Sequence, residues 1–362
     1  MDITEKLAAL RRESSEIGVF LPLTEQTDVL NTAWKYGETA YASRMIYQPE
    51  PVFDADESGA PTAATVSRYT AAIRQRAYAQ IWLELTAIDG GGRRDPHQLM
   101  LTAQNVSVFA ALVKQLKATA KALHGNEPQI IVTLDHAGKD AMRPLIMEPT
   151  QFTPEGAEVI SDEALYGLVV VCSNAAEFAA QAGFDGYALN ASDRSLFGES
   201  LAAFHRDRLF NSPFGGDFDD RTRFLRDCYT AILLAAPSLI PAIRLTVSDG
   251  IAQPDGWGMA FEFESHPDVY EPTLLLNILH ALYGVSLVSC SVGIPGINWM
   301  NGDPESELIR VSRLCTCIAM IDSNMQENVQ LILPNRGVEE LPFENLAAGM
   351  ISGEFASFAA YL

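Results

Sequence analysis

The sequence predicts an α/β protein of the (β/α)8 barrel class, and three observations carry that prediction. Eight short strand candidates alternate with helical segments along 362 residues, about the length such a barrel takes. Between Gly183 and Phe224 a helix ending at Ala182 gives way to the turn GFDG, a strand over Tyr187–Leu189 and a polar loop. In parallel barrels the loops at the C-terminal ends of strands hold the chemistry, so this loop is the first place to look for function. Signatures of other classes are missing: the sequence has no helix-opening GxGxxG, no Ser-His-Asp ordering and no metal-ligand spacing. The expected division is an N-terminal helical arm and lead-in over 1–40 and one barrel over 41–362.

Composition narrows the function. A hydrophobic content of 48% supplies a barrel core, and a formal charge of −21 argues against nucleic acid or an anionic membrane surface as partner. The five cysteines, at 172, 228, 290, 315 and 317, have no regular spacing, and no C-x-x-C or histidine cluster accompanies them. They read as structural thiols in a reducing cytoplasm. The first residues, MDITEKLAALRRESSE, lack an apolar signal core, and no uninterrupted apolar run is long enough to span a bilayer.

The elements follow in order. Asp2 to about Glu16 reads as a surface helix with Leu7, Leu10 and the stem of Arg11 on one side. Ser43–Pro49 is strand one, Gly59–Thr62 opens the first barrel helix and Ala79–Glu84 is strand two. The loop Gly90–Arg93 is glycine-rich but lacks the context of a phosphate loop. Thr102 is placed as the cap of a long helix whose apolar face is Phe109, Leu112, Val113, Leu116, Ala120 and Leu123. Strand three is Ile130–Leu134; the adjacent Asp135 and His136 could suggest a metal site or a dyad, but a pair pointing to opposite faces of a strand end is more often structural. A helix begins near Ser161, another covers Arg221–Ala235, and strands five, six and seven are Ile243–Gly250, Gly284–Ser291 and Val329–Leu333. A helix over Glu339–Gly353 follows.

Several strings, in the right order over about residues 18–362, resemble the old yellow enzyme family, the FMN-dependent ene-reductases and NADH:flavin oxidoreductases. They are SRMIYQP (Ser43–Pro49), GAPT (Gly59–Thr62), the loop Gly90–Leu99, TLDHAGK (Thr133–Lys139), AGFDG (Ala182–Gly186), FGG-x-F-x-x-R-x-RF (Phe214–Phe224) and ENLAAGMISGEFASFAAYL (Glu344–Leu362). The last string resembles the family's seventh helix and eighth strand, and the family's closing Gly-Arg loop and last helix are not in the sequence, which implies a barrel lacking its eighth helix.

The resemblance implies an FMN site. Gln48 and Pro49 would end beside the flavin, Leu85 stands where the family has a close-approaching alanine, and Thr133 where it has a glutamine. Arg244 matches the arginine at the flavin's N1/C2 edge, and also reads as a barrel-lining ion pair. Asn335 and Arg336, with the backbone near Gly337, would be the substitute phosphate anchor. Of the family's carbonyl-binding pair and proton-donating tyrosine, this chain has Asn190, Asp193 and Ser195. Pro295 and Asn298 keep family positions after strand six, and Trp299 reads equally as pocket wall or core.

Three functions compete. In an FMN-dependent oxidoreductase using NAD(P)H, Asn190 donates to a carbonyl, Asp193 shuttles a proton and Arg244 faces the flavin. A flavin-less barrel would be a pseudoenzyme or the partner subunit of an active paralogue. A cofactor-free lyase or isomerase would use Asp193 as base near His205 or Arg194. Each charge-assisted hydrogen bond that the phosphate would lack is worth about 1.5–3 kcal/mol, against about 8 kcal/mol for a micromolar ligand. The expectation is therefore FMN far below one per chain. Asp193 is acceptor-only when ionised and is expected in an ion pair with Arg194 or Arg206. An uncovered seam between strands one and eight implies a homo-oligomer or a complex with a paralogue.

Overall fold

Eight parallel strands pair in sequence order and close on themselves. They are β1 (Met45–Tyr47), β2 (Gln80–Ala87), β3 (Gln129–Asp135), β4 (Gly186–Ala191), β5 (Ile240–Ser248), β6 (Leu287–Val292), β7 (Gln330–Pro334) and β8 (Phe358–Tyr361). Closure is made by β8 on β1, with Tyr361 beside Tyr47. The structure is a computed structural model and describes residues 2–36, 38–260, 266–294, 307–326, 329–335 and 341–361. Within them the fold is the (β/α)8 barrel that the strand count predicts.

Helices α1 (Ala63–Gln75), α2 (Val106–His124), α3 (Asp162–Ala182), α4 (Phe218–Ala235), α5 (Tyr270–Tyr283), α6 (Glu307–Asn324) and α7 (Phe343–Ser352) follow β1 to β7. Their ends obey local chemistry: Thr62, Ser161 and Asp217 cap N-termini through their side chains, and Gly183 takes φ +83° to stop α3. Two expectations need correcting. The N-cap residue of α2 is Asn105, not Thr102: the Asn105 carboxamide oxygen accepts the Thr102 N–H, and the helix starts about one turn later, at Val106. Leu123 is 53% exposed, since it lies in the last turn of α2, beyond the reach of the sheet.

Inward side chains fill the barrel in a size-matched way. Trp82 from β2 packs in one cluster with Ala188, Ala242, Ile46, Ile131 and Ile332, the alanines of β4 and β5 leaving room for the indole. Below, Trp34 and Tyr41 of a short hairpin set their rings 5.1 Å from Phe358 and plug the N-terminal end. A bulge in β2 between Trp82 and Leu85 then decides what faces the mouth. The extra residue turns Glu84 outward to Arg68, at 2.5 Å, and turns Leu85 inward beside Thr133.

The seam over β8 and β1 is partly covered by the N-terminal lead-in. The N-terminal helix Ile3–Glu16 buries Leu7, and Arg11 donates to the Leu23 carbonyl. Thr24 and Asn345 of α7 exchange hydrogen bonds, and the Leu30 carbonyl accepts the Arg44 N–H just before β1. Leu21, Leu23 and Leu30 thereby join the core cluster that contains Met45 and Ala359. What stays open beside α1 is a cavity of about 520 Å³ lined by Tyr47, Tyr78, Tyr361, Arg68 and Arg76.

Among the described residues no helix is long and apolar enough to cross a membrane, and all five cysteines are free and buried.

Candidate functional site

The C-terminal mouth of the barrel is a polar cup whose members reach across it. Ser289 of β6 donates to the Gln48 carboxamide oxygen at 2.9 Å, across the strands between them. Arg244 of β5 reaches Glu50, after β1, at 3.2 Å. Asn190 of β4 donates to Asp135 of β3 at 2.7 Å, and Ser192 donates to the Asn190 carboxamide oxygen at 2.7 Å. These side chains are the mouth-facing set because their strands alternate regularly up to them, the β5–β6 register shifting only past Ser291, and the layer beneath them is apolar.

Among the described residues, four buried polar atoms of the cup have no hydrogen-bond partner, Gln48 Nε2, Thr133 Oγ1, Asp135 Oδ2 and Arg244 Nη1; on the rim Arg94 Nε, in an ion pair 3.5 Å from Asp135 Oδ2, has none either. An unsatisfied buried polar group costs about 1–3 kcal/mol, so their gathering at one end of the barrel marks a place built to receive polar atoms. Of the four in the cup, three can donate and one is an acceptor.

The rim is fixed by two loops. After β2, Gln98 donates to the Leu85 carbonyl at 3.0 Å and accepts the Arg94 N–H at 2.6 Å, and Gly92 lies so close to the His136 ring that a Cβ would come within 2.6 Å. Arg94 is thus held over the mouth, 3.5 Å from Asp135 and 3.2 Å from Asp140. Burial works to lower its pKa, but Asp135, Asp140 and Asp193 outweigh that and raise it. After β4, Asp193 and Arg194 both take positive φ, +56° and +54°, a conformation that costs about 1–3 kcal/mol per residue unless imposed. It is imposed by Arg194, whose Nη2 meets Asp249 at 2.7 Å in an almost fully buried ion pair, and by the Asp193 N–H on Thr246.

The sequence-predicted residues separate on this map. Gln48, Thr133 and Arg244 converge in the cup, with Leu85 packed beside Thr133, and Pro49 buried behind Gln48. Asn190 faces the mouth, but its amide already serves Asp135 and its oxygen Ser192. Ser195 is fully buried; its hydroxyl donates to the Asn190 carbonyl and accepts Gly198 N–H, so it caps the short helix Leu196–Ser200. The cations expected beside Asp193 are committed elsewhere, Arg194 to Asp249 and Arg206 to Asp162. His205 is tied by its N–H to Glu148. Asn335 commits its N–H to the Ala360 carbonyl in the β7–β8 ladder. Arg336 and Gly337, with Pro295, Asn298 and Trp299, lie outside the described residues.

From the sequence Asp135 reads as structural and Arg94 is not singled out; the structure places both at the mouth. The signal for Asp135 was an acid two residues beyond inward-facing Thr133 in an otherwise apolar strand. The family-like FGG-x-F-x-x-R string is a packing device: Arg221, 2% exposed, donates to the carbonyls of Gly216 and Leu201 and pairs with Glu271 at 2.7 Å.

No family model matches the chain, and no curated protein matches it. Solved structures do. A 2-naphthoyl-CoA reductase in complex with 2-naphthoyl-CoA superposes with TM-score 0.73 at 14% identity, over 93% of this chain and 50% of that one. The old yellow enzyme homologue from Zymomonas mobilis gives 0.67 at 18% identity, over 91% of this chain and 87% of that one. Old Yellow Enzyme from Pichia sp. AKU4542 gives 0.70 at 14% identity, over 93% and 83%. The chain therefore spans half the length of the reductase and most of the other two. At these identities the likeness is one of fold.

Proposed function

We propose that this barrel, of the old yellow enzyme type, binds a small compound bearing a carbonyl or carboxylate in its mouth and does not hold FMN as its structural neighbours' family does. The observation that carries this reading is the set of buried donors without hydrogen-bond partners, Gln48 Nε2, Thr133 Oγ1 and Arg244 Nη1, gathered at the C-terminal end of the barrel. Oxygen acceptors on a ligand would satisfy them.

FMN fits this cup at one end only. The three donors suit the carbonyls of a flavin pyrimidine edge, and that observation favours the second reading, an FMN-dependent oxidoreductase. At the other end the described residues offer less support, while Arg336 and Gly337 lie outside them. Leu85 stands inward where a flat ring would need close approach, and overpacking of that kind costs about 1–3 kcal/mol. At the phosphate end the Asn335 N–H is already in the strand ladder and offers nothing to an anion. The family's carbonyl pair and proton donor also lack counterparts here: Asn190 is engaged with Asp135 and Ser195 is a buried helix cap.

A visible absorption spectrum of the purified protein decides between the two. No flavin band is expected, and FMN added at about 10 μM should leave the spectrum that of free FMN. A yellow preparation with near-stoichiometric FMN would establish the second reading.

A further inference from the structure

One carboxylate in the mouth, Asp135, has an oxygen that accepts no hydrogen bond and that Arg94 Nε approaches only to 3.5 Å. We infer that Asp135 is a catalytic base that removes a proton from the carbon beside the carbonyl of a bound compound, giving the protein an enolising, proton-exchanging activity. The inference rests on the reading of the mouth as a carbonyl- or carboxylate-binding site.

Asp135 is fully buried at the end of β3. Its Oδ1 receives the Asn190 amide at 2.7 Å, and Asn190 is itself fixed by Ser192, so the carboxylate cannot turn. Its Oδ2 accepts no hydrogen bond. Arg94 Nε stands 3.5 Å away, and that guanidinium is shared with Asp140. A carboxylate with one oxygen locked by a hydrogen bond, and the other facing a guanidinium at 3.5 Å that is shared with Asp140, has an oxygen left to take a proton from a ligand. Asp193 is poorly suited: it sits on the rim, only partly buried, on backbone held by Arg194 and Asp249.

The donors complete the chemistry. When the C–H bond breaks, its electron pair forms the C=C bond of an enolate, negative charge collects on the former carbonyl oxygen, and the proton ends on Asp135 Oδ2. Gln48 Nε2, Arg244 Nη1 and Thr133 Oγ1 are the groups in the cup able to donate to that oxygen. Donors aimed at developing charge in a site closed to water give such a step its largest stabilisation. Return of the proton to the same or a neighbouring carbon regenerates Asp135, so no oxidant, reductant or cofactor is consumed.

The test uses the full chain in D2O with 2-oxobutanoate, which carries both a carbonyl and a carboxylate. Proton NMR follows loss of its methylene signal, and calorimetry follows binding. Exchange above the buffer rate is expected, falling about 100-fold or more in Asp135→Asn while binding persists. If Asp135→Asn does not fold, Asp135→Glu retains the charge beside Arg94 and Asn190 but displaces the oxygens, and at least a tenfold loss is expected. Binding without exchange, or exchange that survives in Asp135→Asn and vanishes in Asp193→Asn, would overturn the inference and leave the ligand reading intact. Absence of any 2-oxobutanoate binding, with FMN bound instead, would overturn the ligand reading itself.

Discussion

Arg194 and Asp249 are the residues on which the geometry of the β4 loop depends. The Asp249 carboxylate receives the Arg194 guanidinium together with the N–H groups of Ile251 and Trp257. Removing one partner of such a buried pair strands the other charge, which costs about 3–5 kcal/mol. Asp249→Ala should lower the unfolding free energy in urea by that amount, and a loss below about 1 kcal/mol would mean that the loop is held by something else. Glu199 gives a second measurement at this scale. Burial is the main cause that raises its pKa from 4.5 to about 8, with Arg194 opposing it. One of its oxygens accepts the Met147 N–H and the other has no partner. The folded chain thus holds this proton more tightly than the unfolded one. Its contribution to stability is complete below about pH 4.5 and is lost as pH rises towards about 8. Glu199→Gln should flatten the stability profile across that window; an unchanged slope between pH 5 and pH 8 would show that Glu199 is ionised in the fold.

At the scale of elements, the lead-in and α7 form a joint that depends on one glycine. A Cβ on Gly349 would sit 1.5 Å from the Pro22 carbonyl oxygen, so the helix and the arm touch backbone to backbone. Gly→Ala inside an exposed helix normally stabilises by up to about 1 kcal/mol. Here the sign should reverse: Gly349→Ala is expected to destabilise by about 1–3 kcal/mol and to make the N-terminal arm an early site of limited proteolysis. A stabilised variant with unchanged proteolysis would place the arm away from α7. The bulge in β2 belongs to the same scale, because one inserted residue sends Glu84 to Arg68 on the outside and Leu85 into the mouth.

For the whole molecule, the arm covers apolar surface at the seam between β8 and β1. Leu7, Leu21, Leu23 and Leu30 share the core with Met45 of β1 and Ala359 of β8. A chain lacking residues 2–31 should therefore expose both strands and associate, seen in light scattering as a rise in mass over the full chain at equal concentration. A truncated protein of unchanged mass per particle and unchanged thermal midpoint would show that the seam needs no cover. The pocket of about 520 Å³ left beside α1 is walled by tyrosine rings and by arginines already paired with Glu84 and Glu344, so it is not a bare apolar groove.

The barrel itself was legible in the chain because its causes are local. Apolar runs such as QIWLELTA and QIIVTLD, caps at Thr62, Ser161 and Asp217, and a glycine stop at Gly183 act over a few residues each. That Gln48, Thr133 and Arg244 face the same way was also legible, since they lie at strand ends and a strand's period of two places them on one face. Partnership was not. That Asn190 is engaged with Asp135, that Arg194 belongs to Asp249 and not to Asp193, and that Ser195 is a cap follow from contacts between different strands and loops. Arg244 was read both as a ligand contact and as an ion pair, and it has one nitrogen for each: Nη2 on Glu50, Nη1 without a partner. A side chain's identity is set by its codon, but whether its donors and acceptors are satisfied is set by neighbours far along the chain, 194 residues for Arg244 and Glu50 and 241 for Gln48 and Ser289, and only closing the barrel brings those neighbours together.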